Sequence, residues 1–512
     1  MGTPDGRILK MKIFHLRLAD APYKIEYLEA LLPRMAKHGY DTVLLEYENA
    51  FPFEACERSQ HAYTMEEVAR IEMIAAAHGL ATIPRGLSFS SGRRDLTDPT
   101  ILQLMIDTGN ELLSAHPRSK LIHFGGDEMF AVAKTPFMVK ARLEVGLSGI
   151  YVSFANKLAT AFAQKRAQIG IWSDMLIRHP QAIDALDKSA VIFYWDYWSY
   201  GERTPFVSIG GGCPDMCVLD RKAVGGSLKK LFSNPDVRLV EEVPLGHLER
   251  FGSYWRLDSQ RHSAESFPYL KWFKEKGLAV VASCLPYPEK GSFLPNFKEK
   301  MEHLRWFSKR LHETNGEDFM TCLWQPHWPH FETCIPAFLA ALELMENPEL
   351  SDVEVFQNIS AKLGRKWTPV AVEAFLDAGE NFEYADVLMP LWGTNDISRS
   401  LSWLAAAGML DDDLEMAERC QKKITKLLTG QWRQIPSDDF ERFLLEDMAW
   451  RAECELKVQA KDQSRIKSLH KEGIALELRF RAFAMEWHKI AVVEELADAR
   501  YKPWLNCLVC PA

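Results

Sequence analysis

Short apolar runs alternate with longer stretches of helical period through the first two-thirds of the chain. Lys12 to Leu18, Asp41 to Tyr47, Leu80 to Pro84, Leu121 to Phe124, Gln168 to Trp172, Ala190 to Trp195, Leu278 to Cys284 and Phe319 to Trp324 read as strands. Each is a brief, nearly continuous apolar run, the pattern of a strand covered on both faces. The segments between them repeat apolar residues at helical spacing: Tyr23 to His38, Thr64 to His78, Asp98 to Ala115, Gly149 to Arg166, Tyr269 to Lys276, Asn296 to His312 and Phe331 to Met345. Gly39 and Gly79 supply stops, and Thr64-Met-Glu-Glu67 is a capping box that starts a helix. Strand-then-helix units repeated eight times predict an α/β fold of the (β/α)8 TIM-barrel type over residues 1–346. A doubly wound sheet is the rival, and it lacks a glycine-rich phosphate fingerprint after the first strand. Extra length between strands six and seven, Ser199 to Ser266, is expected on the top face beside a site. From residue 347 the strand pattern stops. Leu401 to Leu410, Asp412 to Leu428, Asp438 to Ala460 and Arg465 to Ala499 predict an α-helical C-terminal domain over 347–512.

Composition narrows the functional classes. A chain of 512 residues is too long for one compact core, which agrees with two domains. A net charge of -9 without a long basic run argues against nucleic acid as a partner. No apolar stretch is long enough to span a bilayer, and the first twenty residues hold no apolar signal-peptide core. The ten cysteines form no framework, which fits a reducing compartment, so a cytoplasmic location is expected. The Cys507-Leu-Val-Cys510 pair has no second pair or histidine and is a weak metal signal.

The chemistry concentrates in Ser119 to Phe130, SKLIHFGGDEMF. Gly125 and Gly126 relax the strand's strict alternation and let the adjacent acids Asp127 and Glu128 lean over one pocket. Two carboxylates in one pocket repel, so one tends to keep its proton, the starting condition for general acid catalysis. A solvated acidic pair opening a helix is the plainer alternative. Barrel sites collect groups from the C-terminal ends of strands. Those ends supply Arg17 and Asp20, Glu46 to Glu48, Trp172 and Asp174, Tyr194 to Asp196, Tyr287 and Glu289, and Trp324 with Trp328 and Glu332 beyond. Aromatic walls with carboxylate rims suit a sugar, whose ring faces are apolar and whose edges are hydroxyls. Metal-assisted hydrolysis competes, with His123, His327 and His330 as the strand-end histidines. No HxH or HExxH pair occurs, and His123 more naturally points into the barrel wall to support the acids.

His123-Phe-Gly-Gly-Asp127-Glu128 resembles the H-x-G-G-D-E signature of glycoside hydrolase family 20, the β-N-acetylhexosaminidases, and falls on the fourth strand as it does there. Ala62-Tyr63-Thr64 to Glu67, with the AHGLATIP that follows the helix, is also similar. The likeness covers roughly residues 8 to 346, in the subset that lacks an N-terminal α/β domain. It implies a retaining, substrate-assisted mechanism in which the substrate's own acetamido oxygen attacks the anomeric carbon. Asp127 would orient and charge-stabilise the acetamido nitrogen, and Glu128 would act as acid and then base. It further implies that Trp172, Trp195 and Trp324 box the acetamido methyl, that Tyr287 binds its oxygen with Glu289 on a hydroxyl, and that Glu332 binds the outer hydroxyls. Arg17 stands near the family's arginine, outside its usual local pattern. Where the family often carries a histidine after strand three, this chain reads Arg85-Gly-Leu-Ser-Phe-Ser-Ser.

The resulting expectation is an exo-β-N-acetylhexosaminidase acting on terminal β-linked GlcNAc or GalNAc of a glycan or glycoconjugate. No cofactor is expected, and the helical domain is a candidate to pair in a homodimer. A barrel relative specific for a modified, for example sulfated, hexosamine is the second reading. A glycan-binding protein without turnover is the third.

Overall fold

The structure, a computed structural model, describes residues 10–19, 21–90, 94–129, 134–199, 201–210, 216–219, 238–239, 243–286, 297–324, 331–364, 397–406, 410–430, 433 and 439–509. Eight parallel strands close into a barrel: β1 Lys12–Arg17, β2 Thr42–Glu46, β3 Ala81–Arg85, β4 Leu121–His123, β5 Gln168–Trp172, β6 Val191–Trp195, β7 Ala279–Cys284 and β8 Phe319–Thr321. Lys12 pairs with Phe319 to shut the ring. Every strand predicted from the apolar runs is present, within a residue or two at most ends. The exception is β8, which ends at Thr321 rather than at Trp324.

Register sets up the chemistry. Arg17 pairs with Glu46, Glu46 with Arg85, and Arg85 with His123, so one rung across β1 to β4 carries two cations, an acid and an imidazole. This rung lies at the C-terminal end of the strands, the end that bears sites in barrels of this kind.

The helices follow their sequence signals. Thr64 and Glu67 complete the capping box, each bonding the other's backbone, and Gly39 ends the helix Ile25–His38 at φ 118°. Two expectations change. The helix after β4 starts at Pro136 and runs to Ala163 across a kink at Gly146, so it is much longer than Gly149 to Arg166. The span Arg465 to Ala499 is two helices, Gln463–Trp487 and Ile490–Val509. The break is a tertiary effect. His488 is extended, forms a bridge with Tyr23, stacks on that ring at 4.6 Å and bonds Pro22 O at 3.1 Å.

The insertion between β6 and β7 is placed differently from the expectation of a top-face loop. Its described parts pack down the outside of the barrel. Trp255 is buried and donates to Tyr269 Oη at 3.0 Å, and Glu265 meets Arg310 at 2.6 Å near the end of the helix Phe297–Glu313. Rings of Phe251, Trp255, Tyr269 and Trp272 form the adhesive patch. The C-terminal helices touch the barrel on the loops after β1 and β2 and on the first turn of the helix Met65–Ala77, through Lys24 N to Trp487 O at 2.6 Å, His61 to Glu495 at 2.9 Å and Lys489 to Glu67 at 2.9 Å.

Candidate active site

The floor of the site is the charged rung. Glu46 is fully buried and accepts hydrogen bonds from Arg17, Arg85 and His15, the last at 2.8 Å. Leu323 N donates to His15 Nδ1 at 3.2 Å, which leaves the proton on Nε2, aimed at Glu46. Burial lowers the His15 pKa against the pull of Glu46, so the imidazole is neutral. Burial also works against ionisation of Glu46, but Arg85 and Arg17 outweigh it and hold the carboxyl well below the usual carboxylate range. The Arg85 guanidinium lies 5.9 Å above the Trp172 ring and 5.8 Å above that of Trp324, and it feels Asp127 as its next acidic neighbour after Glu46.

The strand-four turn is built by close approach. His123 is buried, with Nδ1 accepting from Gly125 N at 3.1 Å, and burial depresses its pKa far below the ordinary value. Gly125 and Gly126 stand at φ 68° and 86°. A Cβ on Gly125 would fall 2.2 Å from Ser88 Oγ, and one on Gly126 would fall 2.5 Å from the Phe89 ring and 2.6 Å from Tyr151 Oη. The space is used for bonds: Gly126 N donates to Ser88 Oγ at 2.8 Å, and Tyr151 Oη donates to Gly126 O at 3.0 Å.

The two acids follow. Asp127 is half-buried and accepts from Ser88 Oγ at 3.4 Å; Glu128 is exposed and left-handed at φ 48°. That conformation costs a non-glycine residue roughly 1–2 kcal/mol. It is held by Asp174, whose Oδ2 accepts from Glu128 N at 2.7 Å. Asp174 is 1% exposed, and its other oxygen accepts from Trp195 Nε1 at 3.4 Å. Burial first, and then the charge of Asp127, push the Asp174 carboxyl up to about 8. It is therefore mainly protonated at neutral pH.

An aromatic wall continues from this clamp. Trp195 stacks on Tyr197 at 5.1 Å, Tyr197 Oη accepts from Trp324 Nε1 at 2.8 Å, and Trp324 meets Trp172 at 5.3 Å. Trp195 and Trp324 are half-buried, whereas Trp172 is 1% exposed and packs against His123 and Phe193. Carboxyls, indoles and a phenol thus form one connected set: Glu128 backbone, Asp174, Trp195, Tyr197, Trp324, Trp172.

The chain is similar to hexosaminidase D. It is 25% identical over 223 residues to the Homo sapiens protein, covering 37% of this chain and 45% of that one. The Bos taurus protein is 27% identical over 146 residues, covering 23% of this chain and 41% of that one. The matched part of the chain thus spans less than half the length of these curated relatives. No family model matches. Among solved structures, a β-N-acetylhexosaminidase from Bacteroides fragilis aligns at 15% identity and a TM-score of 0.42, over 66% of this chain and 65% of that one. The fold assignment rests on the closed barrel itself.

The residues singled out from sequence separate into groups. Arg17, His123, Asp127, Glu128, Trp172, Trp195 and Trp324 share the barrel mouth. Glu332 takes another course: its carboxylate accepts from Tyr27 Oη at 2.8 Å and from Arg34, both on the helix Ile25–His38. His123 supports the glycine turn through Gly125 rather than bonding either acid. Tyr287 and Glu289, like Asp20, His327, Trp328 and His330, lie outside the described residues. The sequence alone does not single out Tyr197, and it gives no role to Arg85 and Ser88 in the segment after strand three or to Asp174 at the end of strand five. The last residue of β3 was the available signal for Arg85. Among the described residues, no group of three or more histidine, cysteine or carboxylate side chains is arranged to hold a metal ion, and no helix is long and apolar enough to cross a membrane.

Proposed function

We propose that this protein is a glycoside hydrolase that removes terminal, non-reducing β-linked GlcNAc or GalNAc, with residues 1–346 as the catalytic domain. The observation that carries the reading is the Asp127–Glu128 turn, with one acid half-buried against Ser88 and the other exposed, beside the Trp195–Tyr197–Trp324 wall. The rings suit the apolar faces of a hexosamine and its acetamido methyl. The similarity to hexosaminidase D over the matched segment supports the same substrate class.

In this proposal the acetamido oxygen bonds to the anomeric carbon as the glycosidic bond breaks. Glu128 gives its proton to the leaving oxygen, and Asp127, ionised, accepts from the acetamido N–H. Water then opens the oxazolinium ion while Glu128 takes back a proton, which restores both acids and retains configuration. Arg85 carries its charge between Glu46 and Asp127. The intramolecular nucleophile brings a large proximity advantage.

The direct test is release of nitrophenol from 4-nitrophenyl β-N-acetylglucosaminide and its galacto epimer. Turnover on at least one is expected, and Glu128→Gln is expected to lower kcat by about 100-fold or more, the usual worth of a positioned acid. An absence of turnover on both compounds by the wild-type chain would count against the proposal.

A further inference from the structure

A third carboxyl stands directly behind the two proposed catalytic acids. Asp174 follows the end of β5, in the first turn of the short helix Asp174–Arg178, and its side chain points back into the site. Its two oxygens take two N–H groups of different origin, the Glu128 backbone at 2.7 Å and the Trp195 indole at 3.4 Å. Asp127 and Glu128, both acidic, bear on it. A buried acid with acidic neighbours is costly to keep as a mere filler. The site gains a mechanical link in return: the left-handed turn that aims Glu128 and the indole that forms the wall are fixed to one side chain.

We propose that Asp174 is a positioning residue, a clamp that sets the general acid Glu128 against the aromatic wall through the Glu128 N–H and the Trp195 Nε1–H. The inference rests on the glycosidase reading given above and extends it to a residue outside the pair of reacting acids. Asp174 makes no contact with the reacting atoms in this account. It acts through the backbone of Glu128.

A clamp on the general acid has a signature that general loss of structure lacks. Protonation of the leaving oxygen matters greatly when the departing alcohol is a poor leaving group and hardly at all when it leaves unaided. The experiment compares kcat/KM of the full chain and of Asp174→Asn on 2,4-dinitrophenyl, 4-nitrophenyl and phenyl β-N-acetylglucosaminides. Asparagine keeps one acceptor but turns an NH2 group toward the second N–H, so the clamp cannot close on both donors. Misaiming an acid by about 1 Å costs on the order of 100-fold. The expected result is a loss of roughly 10- to 100-fold on the phenyl compound and of less than about 3-fold on the dinitrophenyl compound, where acid assistance is dispensable. Equal losses along the series would overturn the clamp and leave Asp174 a structural residue. If Asp174→Asn does not accumulate as folded protein, Trp195→Phe removes one donor from the same carboxyl. It is expected to skew the series in the same direction, and a flat series for this variant likewise overturns the proposal. If the wild-type chain hydrolyses none of the three compounds, the glycosidase reading fails, a result distinct from either flat series.

Discussion

Glu46 is the residue whose removal tests the physics of this barrel most directly. Its carboxylate is fully buried, is shared by Arg17, Arg85 and His15, and stands in register between the two arginines. Glu46→Gln keeps the volume and one oxygen but removes the charge. The Arg85 side chain is only 4% exposed and cannot turn to water, and the Arg17 side chain is 16% exposed. Glu48 stands 3.6 Å from Arg17 and 3.9 Å from Arg85 and compensates only in part. Removing one partner of a buried ion pair costs about 3–5 kcal/mol. Against a typical total of about 5–15 kcal/mol, that is a large fraction. Urea unfolding followed by tryptophan fluorescence measures it, since Trp172 and Trp324 lie under Arg85.

The pairing adds two internal checks. Glu46→Gln combined with Arg85→Met removes the stranded cation as well as the acid and is expected to recover part of the loss, because buried pairs replaced by apolar groups are often neutral. Glu46 is held well below its unfolded value of about 4.3, so its contribution is present above that value and is lost as pH falls through the lower folded one. The Glu46→Gln penalty is therefore expected to stay constant between pH 5 and 8. A penalty under about 1 kcal/mol, or one that varies across that range, would refute the view that Glu46 is the counter-ion of the rung.

Two further outcomes follow from buried groups and close packing. His15, His123, His303 and His488 are buried and held below the ordinary histidine range by burial, to about 4 for His488 and about 3 for His303. The unfolded chain takes up their protons near pH 6.5 while the folded chain does not, so stability is present above pH 6.5 and is lost as pH falls toward 4, by up to about 1.4 kcal/mol per pH unit for each. The raised carboxyls of Asp41, Asp174, Asp196 and Asp318 work in the opposite direction, while His38 and His179, also lowered to about 4, add to the loss, so urea midpoints that stay level or rise between pH 6.5 and 5 would contradict the neutral histidines. Gly126→Ala is expected to cost about 1–3 kcal/mol and to abolish turnover, because the added Cβ meets Phe89 and Tyr151 at a positive φ. Gly79→Ala, also at positive φ but with nothing within 4 Å, is the strain-only control and is expected to leave activity intact. Equal effects of the two changes would show that the contacts at Gly126 do not matter.

Much of the fold is legible because barrel strands are buried on both faces and write themselves as apolar runs. The runs Lys12 to Leu18, Asp41 to Tyr47, Gln168 to Trp172 and Ala190 to Trp195 all became strands of the closed ring. What escaped depended on partners far along the chain. His488 sits inside a continuous helical pattern and breaks it only because Tyr23 and Pro22 offer a stacked ring and a carbonyl. The insertion after β6 carries no signal of which side of the barrel it will cover; its aromatic residues decide that by packing on Tyr269 and Trp272. The acid pair announced itself through its glycines. Glu332, just past β8, bonds Tyr27 and Arg34 of a neighbouring helix, contacts that its place in the sequence does not announce. Arg85 is an ordinary residue at the end of a short run until register sets it beside Glu46 and two indoles.

The same register explains how the mouth tolerates so many acids. Among the described residues, Glu46 and Glu48 pair with Arg17 and Arg85, and Arg85 also feels Asp127. Glu46 commits most of both guanidiniums, and the remaining reach of Arg85 goes first to Asp127. Burial and the charges of Asp127 and Glu128 all press on Asp174, so the least costly place for a proton is the carboxyl already excluded from water. Leaving that carboxyl neutral removes a full negative charge from behind Glu128 while keeping both acceptor oxygens for the Glu128 and Trp195 N–H groups. One buried proton thereby relieves the repulsion among the acids and preserves the bonds that shape the turn. Those two requirements conflict for an ionised aspartate and are reconciled by a protonated one.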